Sequence, residues 1–256
     1  MTQTNETFID AFLSYEDSTG QVKNEDRLLP TFRSFLDKIE QQEFCIDKTG
    51  VKTVEELSWQ CKGLNPWQPL LDFNGKKTSK DYCKKELLWY LSQDLHVDKI
   101  GETASIWLKI CSKKQKVNSN YGWCIFSDDN FNQYDNVLNE LLNNKDSRRA
   151  TMIFTRPSMW QDHNHEGMSD FICTWGTHAF IRNNELIYLI NQRSCDIWFG
   201  LRNDFVFHCF VYQMLFNSLI ELGIKLNKSY TSIIYNCDTI HLYERHFDLC
   251  KSICQK

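Results

Sequence analysis

The chain has 256 residues, 42% of them hydrophobic and 14% aromatic, enough to bury a sizeable core within one domain over residues 1–256. A net charge of −4 argues against a general nucleic-acid-binding surface, so any phosphate must be gripped by a local cluster of cations. No apolar leader core and no bilayer-length apolar run is present, and the eleven cysteines are an odd number; together these point to reduced thiols in a cytoplasmic setting, away from membranes.

Apolar residues at helical spacing (Leu29, Phe32, Phe35, Leu36, Ile39) predict a helix over Leu28–Gln42, after an irregular leader. Phe44–Trp59 reads as strand, interrupted by the turn-like Asp47-Lys48-Thr49-Gly50. A second helix is expected over Ser79–Asp94. A third follows Asp128-Asp129, which would cap it, and buries Val137, Leu138, Leu141 and Leu142. Ala150–Thr155, Phe171–Arg182 and Glu185–Arg193 read as strands, the last two joined at the hairpin-like Asn183-Asn184. Asp204–Leu222 is apolar on most sides and predicts a buried helix. Tyr230–Tyr235 and Thr239–Tyr243 are expected as two more strands before a short terminal helix. Helices and strands intermix without regular alternation, which implies an α+β or three-layer architecture rather than a doubly wound sheet.

Gln192-Arg193-Ser194-Cys195-Asp196 carries a Gln-Arg-Ser-x-Asp pattern, and Cys173 stands twenty residues before Arg193. Other segments accompany it in order: Glu86-Leu87-Leu88-Trp89, Ile106-Trp107, Asn120-Tyr121-Gly122, Asp146-Ser147-Arg148-Arg149 and His241-Leu242-Tyr243. Over about 44–246 this ordered set resembles the thymidylate synthase family. The resemblance implies a mixed, twisted sheet with flanking helices, dimerising through the sheet. Asp47–Thr53, Asn118–Trp123, Thr155–Met159 and Gly167–Phe171 are more narrowly similar to the family branch that hydroxymethylates deoxycytidylate in T-even-type bacteriophages. Departures from ordinary synthases agree. Pro-Cys-His is here Ile172-Cys173-Thr174, a phosphate-loop arginine is Lys48, and Pro-Phe-Asn is Arg202-Asn203-Asp204.

The C5 of a pyrimidine is a weak nucleophile until a thiolate adds at C6, so this chemistry requires a cysteine. The resemblance makes it Cys173, with Arg193 as the positive charge that lowers its pKa; alone, Cys173 reads as a buried strand cysteine. For phosphate the resemblance implies Arg193 and Ser194, with Arg148 and Arg149 crossing a homodimer interface and Lys48 in addition. Without it, Ser147–Arg149 and Lys48 read as solvated turns. Glu86, in an apolar helical run, becomes a proton-relay residue rather than a helix-surface acid. Tyr121 joins the active site, and His241 and Tyr243, on one strand face, bind the sugar hydroxyl. Trp107, Asp196 and Gly200 fall on the folate side; apart from the resemblance, Asp196 is a strand-end turn acid. Asp204 decides the base, since a carboxyl can accept from the 4-amino group of cytosine and share a proton with N3. It also reads as the N-cap of the helix that follows. Asp162, His163, His165 and Glu166 lack a matching second ligand pair, so no metal is assigned to them.

The implied reaction joins dCMP and 5,10-methylenetetrahydrofolate to give 5-hydroxymethyl-dCMP, without metal, membrane or nucleic acid. Contacts with other nucleotide-synthesis enzymes are left open. Competing readings are CMP as substrate, reductive methylation of the synthase type, and a non-catalytic nucleotide- or RNA-binding protein on this fold. Ordinary synthases close the site with a carboxy-terminal tail, whereas Ser252–Lys256 follows soon after the last helix; on that reading water is favoured over hydride.

Overall fold

The computed structural model describes residues 2–15, 22–228 and 233–255, with side chains of the first helix described from Asn5 onward. Helix α1 (Thr2–Ser14) replaces the irregular leader expected there; Ile9, Phe12 and Leu13 are buried, and Phe12 packs edge-on against Phe210. Helix α2 (Asn24–Glu40) leads into the short strand β1 (Cys45–Ile46) and the long β2 (Lys52–Leu64). Helix α3 (Lys80–Ser92) is capped by Ser79, whose hydroxyl accepts from the Tyr82 amide. Short helices α4 (Asp98–Thr103), α5 (Ile106–Ile110) and α6 (Tyr121–Phe126) follow, then α7 (Gln133–Asn143). The cap of α7 is Asn132, not Asp128-Asp129, which form a separate turn of 3₁₀ helix.

Strand β3 (Thr151–Ile153), helix α8 (Met159–Asp162), strands β4 (Thr174–Arg182) and β5 (Glu185–Gln192), and the two-residue β6 (Cys195–Asp196) come next. Asn183 and Asn184 both take positive φ, the conformation a tight two-residue hairpin demands. Helix α9 (Gly200–Glu221) carries Phe205, Phe207, Phe210, Val211, Tyr212 and Leu215 fully or nearly fully buried on several sides, so it forms the spine of the core. The two late strands expected from the sequence are one strand, β7 (Ile233–Tyr243); Tyr230–Ser232 lie outside the described residues. Helix α10 (Phe247–Cys254) follows and packs on α2.

The described strands form one seven-stranded mixed sheet in the order β1-β2-β7-β5-β4-β3, with β6 also pairing β7. β5 and β7 are parallel; β2–β7, β4–β5 and β3–β4 are antiparallel. Edge strand β3 is closed by a side chain: the Gln133 carboxamide donates to the Ile153 carbonyl and accepts from its amide, both at 2.7 Å. Because β4 begins where β5 ends (Thr174 opposite Gln192) and β6 lies beside Ile240–His241, several loops and the start of α9 converge on one end of the sheet. That convergence places the site.

Candidate active site

Cys173 sits immediately before β4, half-buried, and its carbonyl accepts from the Arg193 amide at 2.9 Å. The Arg193 guanidinium donates to the carbonyls of Ile172 (3.1 Å) and Phe171 (2.6 Å) and lies 3.6 Å from the Cys173 sulfur. The expected depression of the thiol pKa does not occur in the free protein. Burial pushes Cys173 up to about 11 and outweighs the opposing pull of Arg193. Ser194, which follows Arg193 in sequence, is half-buried.

Beside Cys173 a hydrogen-bonded chain runs from Tyr121 to Asp204. The Thr174 hydroxyl donates to the Tyr121 phenol oxygen at 3.0 Å, and the Gln192 amide donates to Thr174 at 3.2 Å and to Asp204 at 2.7 Å. Asp204 lies inside α9, one turn beyond its start, so the N-cap reading is withdrawn: the cap position is Phe199. Burial raises its carboxyl to about 6, against the Gln192 hydrogen bond. Glu86, only 5% exposed on α3, is raised to about 8 by burial, and the negative charge of Asp204 adds to that. Its carboxylate accepts a short hydrogen bond from Tyr82, one helical turn earlier, and the Trp107 indole donates to the same phenol at 3.3 Å. Trp107 in turn packs on Trp89 at 4.8 Å.

The other rim is built from β6 and β7. Asp196 pairs in register with His241, and the Ile197 amide donates to the His241 carbonyl. His241 and Tyr243 meet edge-to-face at 5.2 Å, and burial holds the imidazole pKa below its ordinary value. Asp196 accepts from the Trp198 amide at 2.9 Å, and Gly200 opens α9 between Asp196 and Asp204. Lys48 is exposed in the β1–β2 turn, which Asp47 stiffens by accepting from Thr49 and Val51. Arg148 and Arg149 are not brought to this site within the chain. They are exposed beside His178–Ala179, roughly 15–20 Å along β4 from Cys173, and Arg149 pairs with Glu140 at 3.0 Å.

Two residues that hold the site were not singled out from the sequence. Tyr82 is visible afterwards as the residue four before Glu86, on the same helix face. Asp170 is buried and accepts from the Asn118 and Ser119 amides and the Ser119 hydroxyl at 2.6–2.8 Å, which ties the segment before Tyr121 to the segment before Cys173. Of the acids and histidines at 162–166, Asp162 pairs with Arg156 and Glu166 with Lys114.

A family model described as thymidylate synthase matches residues 31–256. The chain belongs to the thymidylate synthase family. Among relatives, a deoxycytidylate 5-hydroxymethyltransferase of Enterobacteria phage T4 is 42% identical over 82% of this chain and 84% of its own length. The protein of that name from phage T6 shows the same identity and coverage. A thymidylate synthase of Buchnera aphidicola subsp. Acyrthosiphon pisum (strain APS) is 27% identical over 80% of this chain and 75% of that protein. Within the thymidylate synthase family, therefore, the chain shares more with these deoxycytidylate 5-hydroxymethyltransferases than with this thymidylate synthase.

Proposed function

We propose that the protein transfers the one-carbon unit of 5,10-methylenetetrahydrofolate to C5 of dCMP, with water supplying the hydroxyl oxygen, to give 5-hydroxymethyl-dCMP and tetrahydrofolate. The observation that carries this reading is Asp204: a carboxyl, not an amide, ends the Tyr121–Thr174–Gln192 chain, in a protein 42% identical to relatives named for that reaction. Cytosine offers an unprotonated N3 and a 4-amino donor. A carboxyl raised to about 6 can accept from the amino group and share its proton with N3, stabilising the ring once C6 is attacked.

Cys173 adds to C6 and gives C5 the character of an enamine. Because burial keeps it a thiol in the free protein, its proton passes to water as the carbon–sulfur bond forms, with Arg193 3.6 Å away to stabilise the developing charge. The bond breaks again, returning Cys173, once C5 has lost its proton and water has added to the exocyclic carbon. Glu86 retains a proton near neutral pH and is set by Tyr82 to exchange protons with water near the exocyclic substituent. Arg193, Ser194 and Lys48 receive the phosphate, joined by Arg148 and Arg149 of the other subunit in a homodimer. Tyr121 helps enclose the base, and His241 and Tyr243 hold the sugar. Trp107, held against Trp89 at 59° between the ring planes, gives an apolar surface for the pterin, and Asp196 and Gly200 serve the same folate. The folate, when bound, supplies carbon at the oxidation level of formaldehyde.

Mass spectrometry of products from dCMP, dUMP and CMP, in water enriched in oxygen-18, tests the assignment. Labelled 5-hydroxymethyl-dCMP with tetrahydrofolate is expected; a 5-methyl product with dihydrofolate would overturn it. Asp204→Asn should lower kcat on dCMP by roughly a hundredfold, about 2–4 kcal/mol, and raise the relative activity on dUMP. An unchanged preference would show that another residue reads the base.

A further inference from the structure

Beneath Asp204 four side-chain polar atoms are buried without a hydrogen-bond partner among the described residues: both ring nitrogens of His208, Oε1 of Gln192 and the hydroxyl of Tyr235. His208 and Tyr235 are 0% exposed and Gln192 1%. They belong to one neighbourhood. Gln192 and Tyr235 face inward from the adjacent strands β5 and β7, and His208 follows Asp204 by one turn on the helix that covers them. The His208 ring stands perpendicular to that of Tyr235 with centroids 6.2 Å apart, and Tyr121 is 6.2 Å away on another side. The Tyr235 phenol also feels the charge of Asp204. Each bare buried polar atom forfeits the hydrogen bonds it makes to water in the unfolded chain, a burden that a marginally stable fold does not carry several times over. A buried water, making about three hydrogen bonds, removes such a cost where polar groups converge.

We propose that His208 is a positioning residue, holding buried water against Tyr235 and Gln192 Oε1 and thereby fixing which way the Gln192 carboxamide faces Asp204. The inference rests on the reading of Asp204 as the residue that recognises the base. A carboxamide can turn over in place. With its oxygen held by a donor, its NH₂ is directed to Asp204 and Thr174, at 2.7 and 3.2 Å. With that donor lost, a half-turn sets oxygen against the carboxylate and displaces the group that must meet N3 in the chemical step. The effect belongs to kcat rather than to binding.

The test compares His208→Leu, His208→Gln and Asp204→Asn with the parent by kcat and KM for dCMP and dUMP, by melting temperature, and by crystal structures fine enough to place ordered water. The parent should show water within hydrogen-bond distance of a His208 nitrogen and of Gln192 Oε1 or the Tyr235 hydroxyl. His208→Leu should lose about tenfold in kcat on dCMP with KM within about twofold, and His208→Gln should recover most of that loss. No such water in the parent, or a folded His208→Leu with parental kcat, overturns the proposal. If His208→Leu does not fold, the parental water and the kcat of His208→Gln decide. If Asp204→Asn leaves the base preference unchanged, the base reading itself has failed; if it shifts the preference while His208→Leu keeps its kcat, only the role of His208 falls.

Discussion

Glu86 holds its proton to a higher pH than a solvated acid because its surroundings are apolar. The folded carboxyl is raised from 4.5 to about 8, so the native state binds a proton that the unfolded chain has released. The resulting stability is complete below the unfolded value and is lost as pH rises through about 8. Thermal melts of the free protein should therefore show Tm falling between about pH 5 and pH 8. Glu86→Gln should flatten that slope and be the more stable protein at the alkaline end, while losing turnover; parallel profiles would mean that Glu86 titrates like a solvated acid. Cys173→Ala should abolish both turnover and folate-independent exchange of the C5 hydrogen of dCMP, whereas Cys195→Ala, a change at a buried packing position, should keep both. Exchange at the parental rate without Cys173 would point to a different nucleophile. The pairing of Cys173 with Arg193 was legible from the family resemblance, which carries their twenty-residue spacing. The upward pKa of the thiol was not, because burial is a property of the assembled fold, and the same holds for the raised carboxyls of Glu86 and Asp204.

At the level of elements, α3 and α6 carry Glu86 and Tyr121, and Gly122 sets how closely they cross. A Cβ there would stand 1.8 Å from the Tyr90 carbonyl oxygen, a clash with backbone that no rotamer relieves. Gly122→Ala should cost at least about 3 kcal/mol or prevent folding, with loss of activity. Gly223→Ala is the informative contrast. Its Cβ meets open space but its φ is +91°, so only backbone strain applies, about 1 kcal/mol. Calorimetry or denaturant melts would rank the two, and equal costs would mean that the crossing relaxes. The hairpin at Asn183-Asn184 and the buried helix α9 were readable because turn chemistry and an all-round apolar surface are local signals. The continuity of β7 was not: its alternation breaks at Asp238–Thr239, where partner Ser58 takes positive φ, and the ladder to β2 carries the strand across the break. The cap of α7 misled for a related reason. Asp128-Asp129 are good cap residues spent on a preceding turn, and Asn132, with φ +40°, does the capping.

For the molecule as a whole, the exposure of Arg148 and Arg149 far from their own Cys173 fits the proposed homodimer with shared sites, as does the outer sheet face, where Trp175, Phe180, Ile187, Leu189 and Ile234 are incompletely covered. Mixing inactive Cys173→Ala with inactive Arg149→Ala under conditions of subunit exchange should restore part of the activity, because one site of each mixed dimer carries neither lesion. No recovery despite proven exchange would count against shared sites. Gln133 bears on the same question from the edge of the sheet. By occupying both hydrogen-bonding groups of Ile153 it terminates the ladder, so a further chain cannot add there strand by strand. Growth along the hydrogen-bonding direction has no natural end and would yield fibres of indefinite length. Stacking across a two-fold axis uses up its surface at a pair. One carboxamide thus closes the open-ended route at this edge and leaves pairing across a two-fold axis as the mode of association that the subunit-mixing experiment tests.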